Sequence, residues 1–278
     1  MTKVLKPKVI NGIKCYSPGV ANKYNNYPND FETTKKNAKN SFWVRSRNRL
    51  FSWMVRNECK RFEKVNYLDI GCATGNFINH IKKDKKIKIT GSEIYMGGLL
   101  LAKKHLPEID FIQFDITEGV LGRQFNVITA FDVLEHIDND ELSIEHISKM
   151  LIVDGVFILS VPQHMFLWSK LDEIVFHKRR YTRSEILKKL RENGLEPIRV
   201  TSHVFSLFPF MALSRMLGRF RSKKLNKGLE DHVVFSMSLN WIFDKVMRLD
   251  ELLIKFGINL PYGGTLIVVA QKNNQINF

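Results

Sequence analysis

The chain has 278 residues, 44% of them hydrophobic, and 43 lysines and arginines against 28 acids give a formal net charge of +15. That length holds one full α/β domain with additions, and no run of about 18 apolar residues is available to span a membrane. Cysteines 15, 59 and 72 have neither metal nor disulfide spacing, which suggests reduced thiols and a cytoplasmic protein, with a peripheral place on the inner face of a membrane as a further expectation.

Residues 1–40 are rich in Asn, Lys and Pro, with Tyr16, Tyr24 and Tyr27 interspersed, and read as an N-terminal arm or lid. Lys3, Lys6 and Lys8 precede no apolar stretch of signal-peptide length. A helix is expected over 41–61, with Arg45, Arg47 and Arg49 as a solvated face or as contacts to an acidic acceptor. Residues 66–77, NYLDIGCATGNF, read as a strand, an acid and a glycine turn that opens a helix. Gly71 and Gly75 permit a tight turn and close approach of a ligand to the backbone. Free N–H groups at the following helix start point towards that ligand. Asp69 just before the glycines would repel a pyrophosphate and attract a cationic or amine-bearing cofactor.

A second strand over 87–93 ends in Glu93, 22 positions after Gly71, near the spacing of a ribose-binding carboxylate. The third, 109–115, ends in Asp115, able to accept from an adenine amine. The fourth, 125–131, ends in Phe131 and leads into Asp132-Val133-Leu134-Glu135-His136; the fifth covers 155–161. Apolar spacings of three and four place helices at 75–83, 97–106 and 139–151, with Thr74 and either Asp138 or Asn139 as caps. Alternating strands and helices imply right-handed crossovers and a parallel sheet, with ligands outside the carboxyl ends of its strands. A further helix at 183–193 has Thr182 or Ser184 as cap, and the sixth and seventh strands lie at about 196–202 and 264–271. Between them, helices are expected at about 207–220 and 234–256, the second with Phe235, Leu239, Ile242, Val246, Leu249, Leu253 and Phe256 on one apolar stripe. The connecting RMLGRFRSKKLNKG, 215–228, has six basic residues and no acid. Residues 207–228 thus suit an anionic membrane surface, or a helical subdomain with an exposed basic loop.

In these motifs the chain resembles the class I S-adenosylmethionine-dependent methyltransferases. LDIGCATGNF resembles their first motif, with Ala73 at the usual third glycine; GSE at 91–93 resembles the second, and FDI at 114–116 the adenine-binding acid. FDVLEHI at 131–137 resembles the branch acting on small molecules and quinone-type lipids, and the stretches 41–50 and 160–200 resemble uncharacterised bacterial members of it. The resemblance implies a Rossmann-like doubly wound sheet of seven strands, six parallel and the seventh antiparallel. The domain would comprise 41–202 and 262–278, with a helical insertion over 203–261. It implies S-adenosylmethionine as cofactor, held by Asp69, Gly71, Cys72, Ala73, Gly75, Glu93, Asp115, Phe131 and Asp132, and no metal. The expected reaction is methyl transfer, O-methylation above C- or N-methylation, to a small-molecule, glycan or lipid-linked acceptor.

His136 is the best-placed base, or else a structural histidine, and His164 could face the same cavity. His177, Arg179, Arg180 and Tyr181 could bind an anionic acceptor or lock their segment onto the fold. Nucleic-acid methylation is disfavoured: no Pro-Pro-aromatic motif follows the fourth strand and no cysteine lies near it. RNA remains an alternative because charge alone binds phosphate. A non-catalytic scaffold is another, and a nicotinamide oxidoreductase is opposed by Asp69 and the absent third glycine.

Overall fold

The computed structural model describes residues 2–20, 41–220 and 236–273. Strands β1 (Val4–Leu5), β2 (Lys8–Ile10), β3 (Ile13–Cys15), β4 (Val65–Ile70), β5 (Ile87–Glu93), β6 (Asp110–Gln113), β7 (Val120–Leu121), β8 (Phe125–Phe131), β9 (Leu151–Pro162), β10 (Leu195–His203) and β11 (Thr265–Lys272) alternate with eight helices among the described residues. These are α1 (Phe42–Cys59), α2 (Ile78–Ile81), α3 (Met96–His105), α4 (Asp140–Met150), α5 (Lys170–Ile174), α6 (Arg183–Glu192), α7 (Phe208–Phe220) and α8 (Met237–Lys255).

The main sheet has the order β10-β11-β9-β8-β4-β5-β6-β3-β2. Its seven strands from β10 to β6 are the expected ones. Only β11 among them runs against its neighbours. Strand order reverses at β4, which has β5 on one side and β8 on the other; ligands of such sheets bind at that reversal. One apolar layer, with Leu68, Ile128, Ile147, Leu159 and Leu190, fills one face; Leu50, Met54, Tyr67, Ile78, Leu99 and Val127 fill the other.

Two strands extend the sheet beyond the expected seven. Asn11 and Gly12, both with positive φ, turn β2 back along β3, as an Asn-Gly hairpin turn requires. Strand β3 then pairs in parallel with β6, and β1 pairs with β7 in a small second sheet. Residues 2–20 are therefore built into the framework rather than a free arm or lid; 21–40 lie outside the described residues. Strand β9 starts four residues earlier than expected: Leu151 pairs with Phe125 and Val156 with Val127, so 152–155 bulge out, with Asp154 in the left-handed region.

Helix caps follow the sequence in two cases. Asn139 accepts from the Leu142 N–H, and Thr182 with Glu185 forms a reciprocal capping box. Thr74 does not cap: α2 starts only at Ile78 and its first flanking residue is Phe77, because 71–77 is spent on the loop.

Helix α1 buries Ser46, Leu50, Met54 and Glu58 on one row of fours and Phe51, Val55 and Cys59 on the next. Helix α8 packs on it through a polar seam. Arg49 makes a bidentate pair with Glu251 (2.6–3.1 Å) and reaches Asp244 at 3.0 Å; Arg45 also meets Asp244. Ser46 donates to Glu251, and the Phe42 N–H donates to Asn240. Two of the three arginines thus fasten helices together rather than forming a solvated face.

Burial opposes ionisation of Asp244, but the Arg49 hydrogen bond and charge outweigh it and hold the carboxyl below its ordinary range. Its contribution to stability is present at neutral pH and is lost as pH falls below about 4 towards the depressed value. Arg49→Ala should cost roughly 2–3 kcal/mol, less than a fully buried pair because Arg49 remains partly exposed. Thermal unfolding at pH 7 and pH 3 would check this: the variant should lose more at pH 7.

Candidate functional site

At the carboxyl end of β4 the chain enters the loop 71–75. Gly71 (φ 74°) leaves no room for a side chain: a Cβ there would lie 2.5 Å from Val133 Cγ2. Gly75 (φ 73°) would meet Leu106 and Phe111 at 3.0 and 3.2 Å. Ala73 takes a left-handed φ of 48°, so an alanine occupies a conformation that favours glycine. The N–H groups of Gly71 and Cys72 both donate to the Ser92 carbonyl, which ties the loop to β5. Cys72 is a buried free thiol whose pKa burial raises well above the ordinary value. It fills the loop as a small residue.

Glu93 clamps this loop. One of its carboxylate oxygens accepts from the Ala73 N–H at 3.0 Å, the other from Ile94 and Tyr95 N–H at 2.7 and 3.3 Å. Burial raises its pKa and these three donors pull it back. Asp69, at the end of β4, accepts from Thr129 at 2.7 Å, and burial pushes its pKa up to about 7 against the opposing effects of Thr129 and Arg47. Asp115, just past β6, accepts from the Thr117 N–H and hydroxyl. Its own N–H donates to Ser17, so the N-terminal extension reaches this corner of the site.

Past β8, Phe131 stacks on Phe51 with ring centres 4.1 Å apart and meets Phe77 edge-on. Asp132 has φ 56° and is fixed by Ser160, whose hydroxyl donates to it at 2.8 Å. Its other oxygen lies 3.1 Å from Arg47. Arg47 lies over Trp43 and Phe51, donates to the Phe131 carbonyl, and leaves its buried Nε without a hydrogen-bond partner. In the sequence Arg47 reads only as one of a run with Arg45 and Arg49. A helical wheel separates it, since 45 and 49 share a face and 47 lies roughly 160° away from the row they form.

A second cluster adjoins the first. Glu135 is fully buried, neither carboxylate oxygen has a hydrogen-bond partner, and burial followed by the Asp132 charge raises its pKa well above the ordinary value. His177 lies with Nδ1 2.9 Å from Asp172 and Nε2 3.8 Å from Glu135. His136 faces His177 edge-on, and its Nδ1 is 3.4 Å from the Phe176 carbonyl. Burial, then the neighbouring His177, lowers the His136 pKa to about 4. It is neutral at physiological pH. Ligand atoms of Glu135, His136 and His177 lie within 4.8 Å of one another and could hold a cation, a grouping that no sequence spacing announces.

Of the two roles expected for Arg180 and Tyr181, their contacts in the fold match the second. Arg180 makes a bidentate pair with Asp172 (2.9 and 3.0 Å) and donates to the Gln163 carbonyl. Tyr181 is buried, with its hydroxyl donating to Asp140 at 2.7 Å. Both lock their segment onto the sheet. His164 sits beside Phe166 and Phe208 with φ 65°, its Nε2 buried and without a hydrogen-bond partner.

A glycine loop at the strand-order reversal, with acids on successive strand ends and an antiparallel last strand, defines a class I S-adenosylmethionine-dependent methyltransferase. The chain belongs to the family described as "Methyltransferase domain", whose model matches residues 38–217. It is 24% identical over 157 residues to a ubiquinone biosynthesis O-methyltransferase of Histophilus somni, covering 50% of this chain and 65% of that one. The Dictyostelium discoideum mitochondrial enzyme of the same name is 22% identical over 120 residues, 38% of this chain and 37% of that one. A putative methyltransferase of Invertebrate iridescent virus 6 is 29% identical over 85 residues, 30% of this chain and 32% of that one. The chain thus spans about a third of the viral and Dictyostelium relatives. Among solved structures, a putative sarcosine dimethylglycine methyltransferase from Galdieria sulphuraria superposes with TM-score 0.55 at 10% identity, over 84% of this chain and 88% of that one. Coclaurine N-methyltransferase bound to N-methylheliamine and SAH superposes with TM-score 0.50 at 17% identity, over 79% and 72%. These likenesses establish the fold.

The loop geometry has a measurable consequence. Gly71→Ala adds a Cβ both at positive φ and against Val133, and should destabilise by roughly 1–3 kcal/mol. Denaturant unfolding of the variant would measure it, with Gly12→Ala, which has open space around it, as the control for φ alone.

Proposed function

We propose that this chain transfers a methyl group to a hydroxyl of a small-molecule or lipid-linked acceptor by direct displacement. The observation that carries the reading is the set of acids at the ends of β4, β5 and β6 around a loop that cannot accommodate side chains at Gly71 and Gly75. S-adenosylmethionine supplies an electrophilic methyl on a sulfonium. The residues present fit it. Asp69, whose carboxyl burial pushes up to about 7, gains from a cationic group beside it, and Gly71 and Gly75, packed against Val133, Leu106 and Phe111, hold the loop backbone tightly at the strand ends. In this reading Glu93 accepts from the ribose hydroxyls and Asp115 from the adenine amine, while Phe131 and the loop residues Cys72 and Ala73 pack against the cofactor. Arg47 and Asp132 lie where a carboxylate and an ammonium of the methionine part can pair.

The ubiquinone O-methyltransferase relatives favour oxygen as the attacking atom. A hydroxyl must lose its proton as it attacks. His136 is neutral; with Nδ1–H donating to Phe176, its Nε2 is free to accept that proton, and Asp132 stabilises the imidazolium formed. His164 lies among Phe166, Phe208 and Tyr262, an aromatic wall suited to an apolar acceptor.

Two measurements test this reading. Cofactor affinity, titrated calorimetrically, should fall about tenfold per pH unit below pH 7, because an acid of pKa about 7 must lose its proton to meet a cation. Asp69→Asn should bind weakly and flatten that dependence; an unchanged slope would remove Asp69 from the site. His136→Gln should lower turnover on a catechol acceptor about 100-fold or more while leaving cofactor affinity intact. Equal turnover would make His136 a scaffold residue.

A further inference from the structure

The outer face of α8 has no counterpart in methyl transfer. Its acids, Asp244, Asp250 and Glu251, are all buried: Asp244 and Glu251 face Arg45 and Arg49, and Asp250 accepts from the Phe205 and Ser206 N–H groups. Its three bases, Lys245, Arg248 and Lys255, are all exposed. So are Trp241 (61%), Leu249, Leu252 and Phe256 (77%), which recur at spacings of eight, three and four. The helix departs from an ordinary surface helix: its three acids face the protein beside the buried Met247 and Ile254, and large apolar side chains with cations face outwards. Lys245 lies over the Trp241 ring, and Arg248, although 3.3 Å from Asp244, is more than half exposed.

We propose that this face of α8 docks on an anionic membrane surface. An apolar stripe flanked by lysine and arginine is the pattern of a helix lying in the headgroup region. Burying all three acids leaves only positive charged side chains on the outer face, which attracts anionic lipid and disfavours a basic or neutral apolar partner. Among the described residues no helix is long and apolar enough to cross a membrane, so the contact is peripheral. Phe210 (70% exposed), Leu213 and Met216 on α7 add apolar surface to the same insertion. In the sequence, 207–228 suits such a surface or a helical subdomain; among the described residues of the insertion, the apolar face with exposed cations lies on α8.

Flotation with phosphatidylcholine vesicles, with and without phosphatidylglycerol, tests the proposal. Wild type should float with the anionic vesicles, less at high salt, and not with neutral ones. Leu249→Ser with Phe256→Ser should reduce partitioning roughly tenfold or more, and Lys245→Glu with Lys255→Glu should abolish the preference for anionic lipid, with thermal unfolding unchanged in both. Absence of wild-type flotation, or equal flotation by the apolar variant, overturns the proposal. So does a wild-type dimer in sedimentation velocity that the apolar variant dissolves, since the face would then meet a second copy. Neither readout depends on cofactor binding or turnover.

Discussion

Too many carboxyl groups are buried at one edge of this sheet, and Arg47 is the cation placed among them. Asp69, Glu93, Asp132 and Glu135 all lie at or just past the ends of β4, β5 and β8. Burial raises the pKa of Asp69, Glu93 and Glu135, while Arg47 opposes the shift at Asp69 and Glu135. An edge of this kind resists full ionisation on its own and gains from a ligand bearing positive charge. The remaining architecture serves to keep Arg47 there. Helix α1 is pinned to α8 by Arg45 and Arg49 on one face, which fixes the rotation that turns Arg47 towards Asp132 on another.

His203 illustrates how tightly that seam is built. It is fully buried beside Ser46, and burial, then the charges of Arg47 and Arg49, lowers its pKa to about 3. It remains neutral and bonds to the Ser46 hydroxyl, which itself donates to Glu251. A chain of polar contacts thus runs from β10 through α1 to α8 without adding a further buried charge.

The glycine loop and the acids at the strand ends were legible in the sequence because their signals are local. Gly71 and Gly75 mark a backbone that cannot turn with side chains, and Asp69, Glu93 and Asp115 each sit at a strand end whose period-two pattern is short and apolar. The expected acceptor side was less legible because its contacts follow no regular spacing, 8 positions for Arg180 with Asp172 and 41 for Tyr181 with Asp140. Nothing near Arg180 or Tyr181 announces Asp172 or Asp140 as partners, nor does His177 announce its approach to Glu135 from 42 positions away. The N-terminal hairpin was missed for a different reason. Its strands have two or three residues each, too few for a period to register, and their pairing partners lie about 100 positions on.

Helix α8 shows where an amphipathic reading fails. The rule that the apolar stripe faces inwards holds when nothing stronger competes for the buried face. Here Arg45 and Arg49 on α1 present two cations, and the helix that satisfies them must turn Asp244 and Glu251 inwards. Leu249 and Phe256 then go outwards with the lysines. Placing charge pairs inside and apolar groups outside would be costly in water alone, since the exposed side chains forgo burial worth roughly 1.5–3 kcal/mol each. In the proposed docking a headgroup layer returns that energy, and the cations exposed on the outer face select its sign. The ion pairs that hold α1 in register over the site therefore also set the surface that α8 turns towards its surroundings.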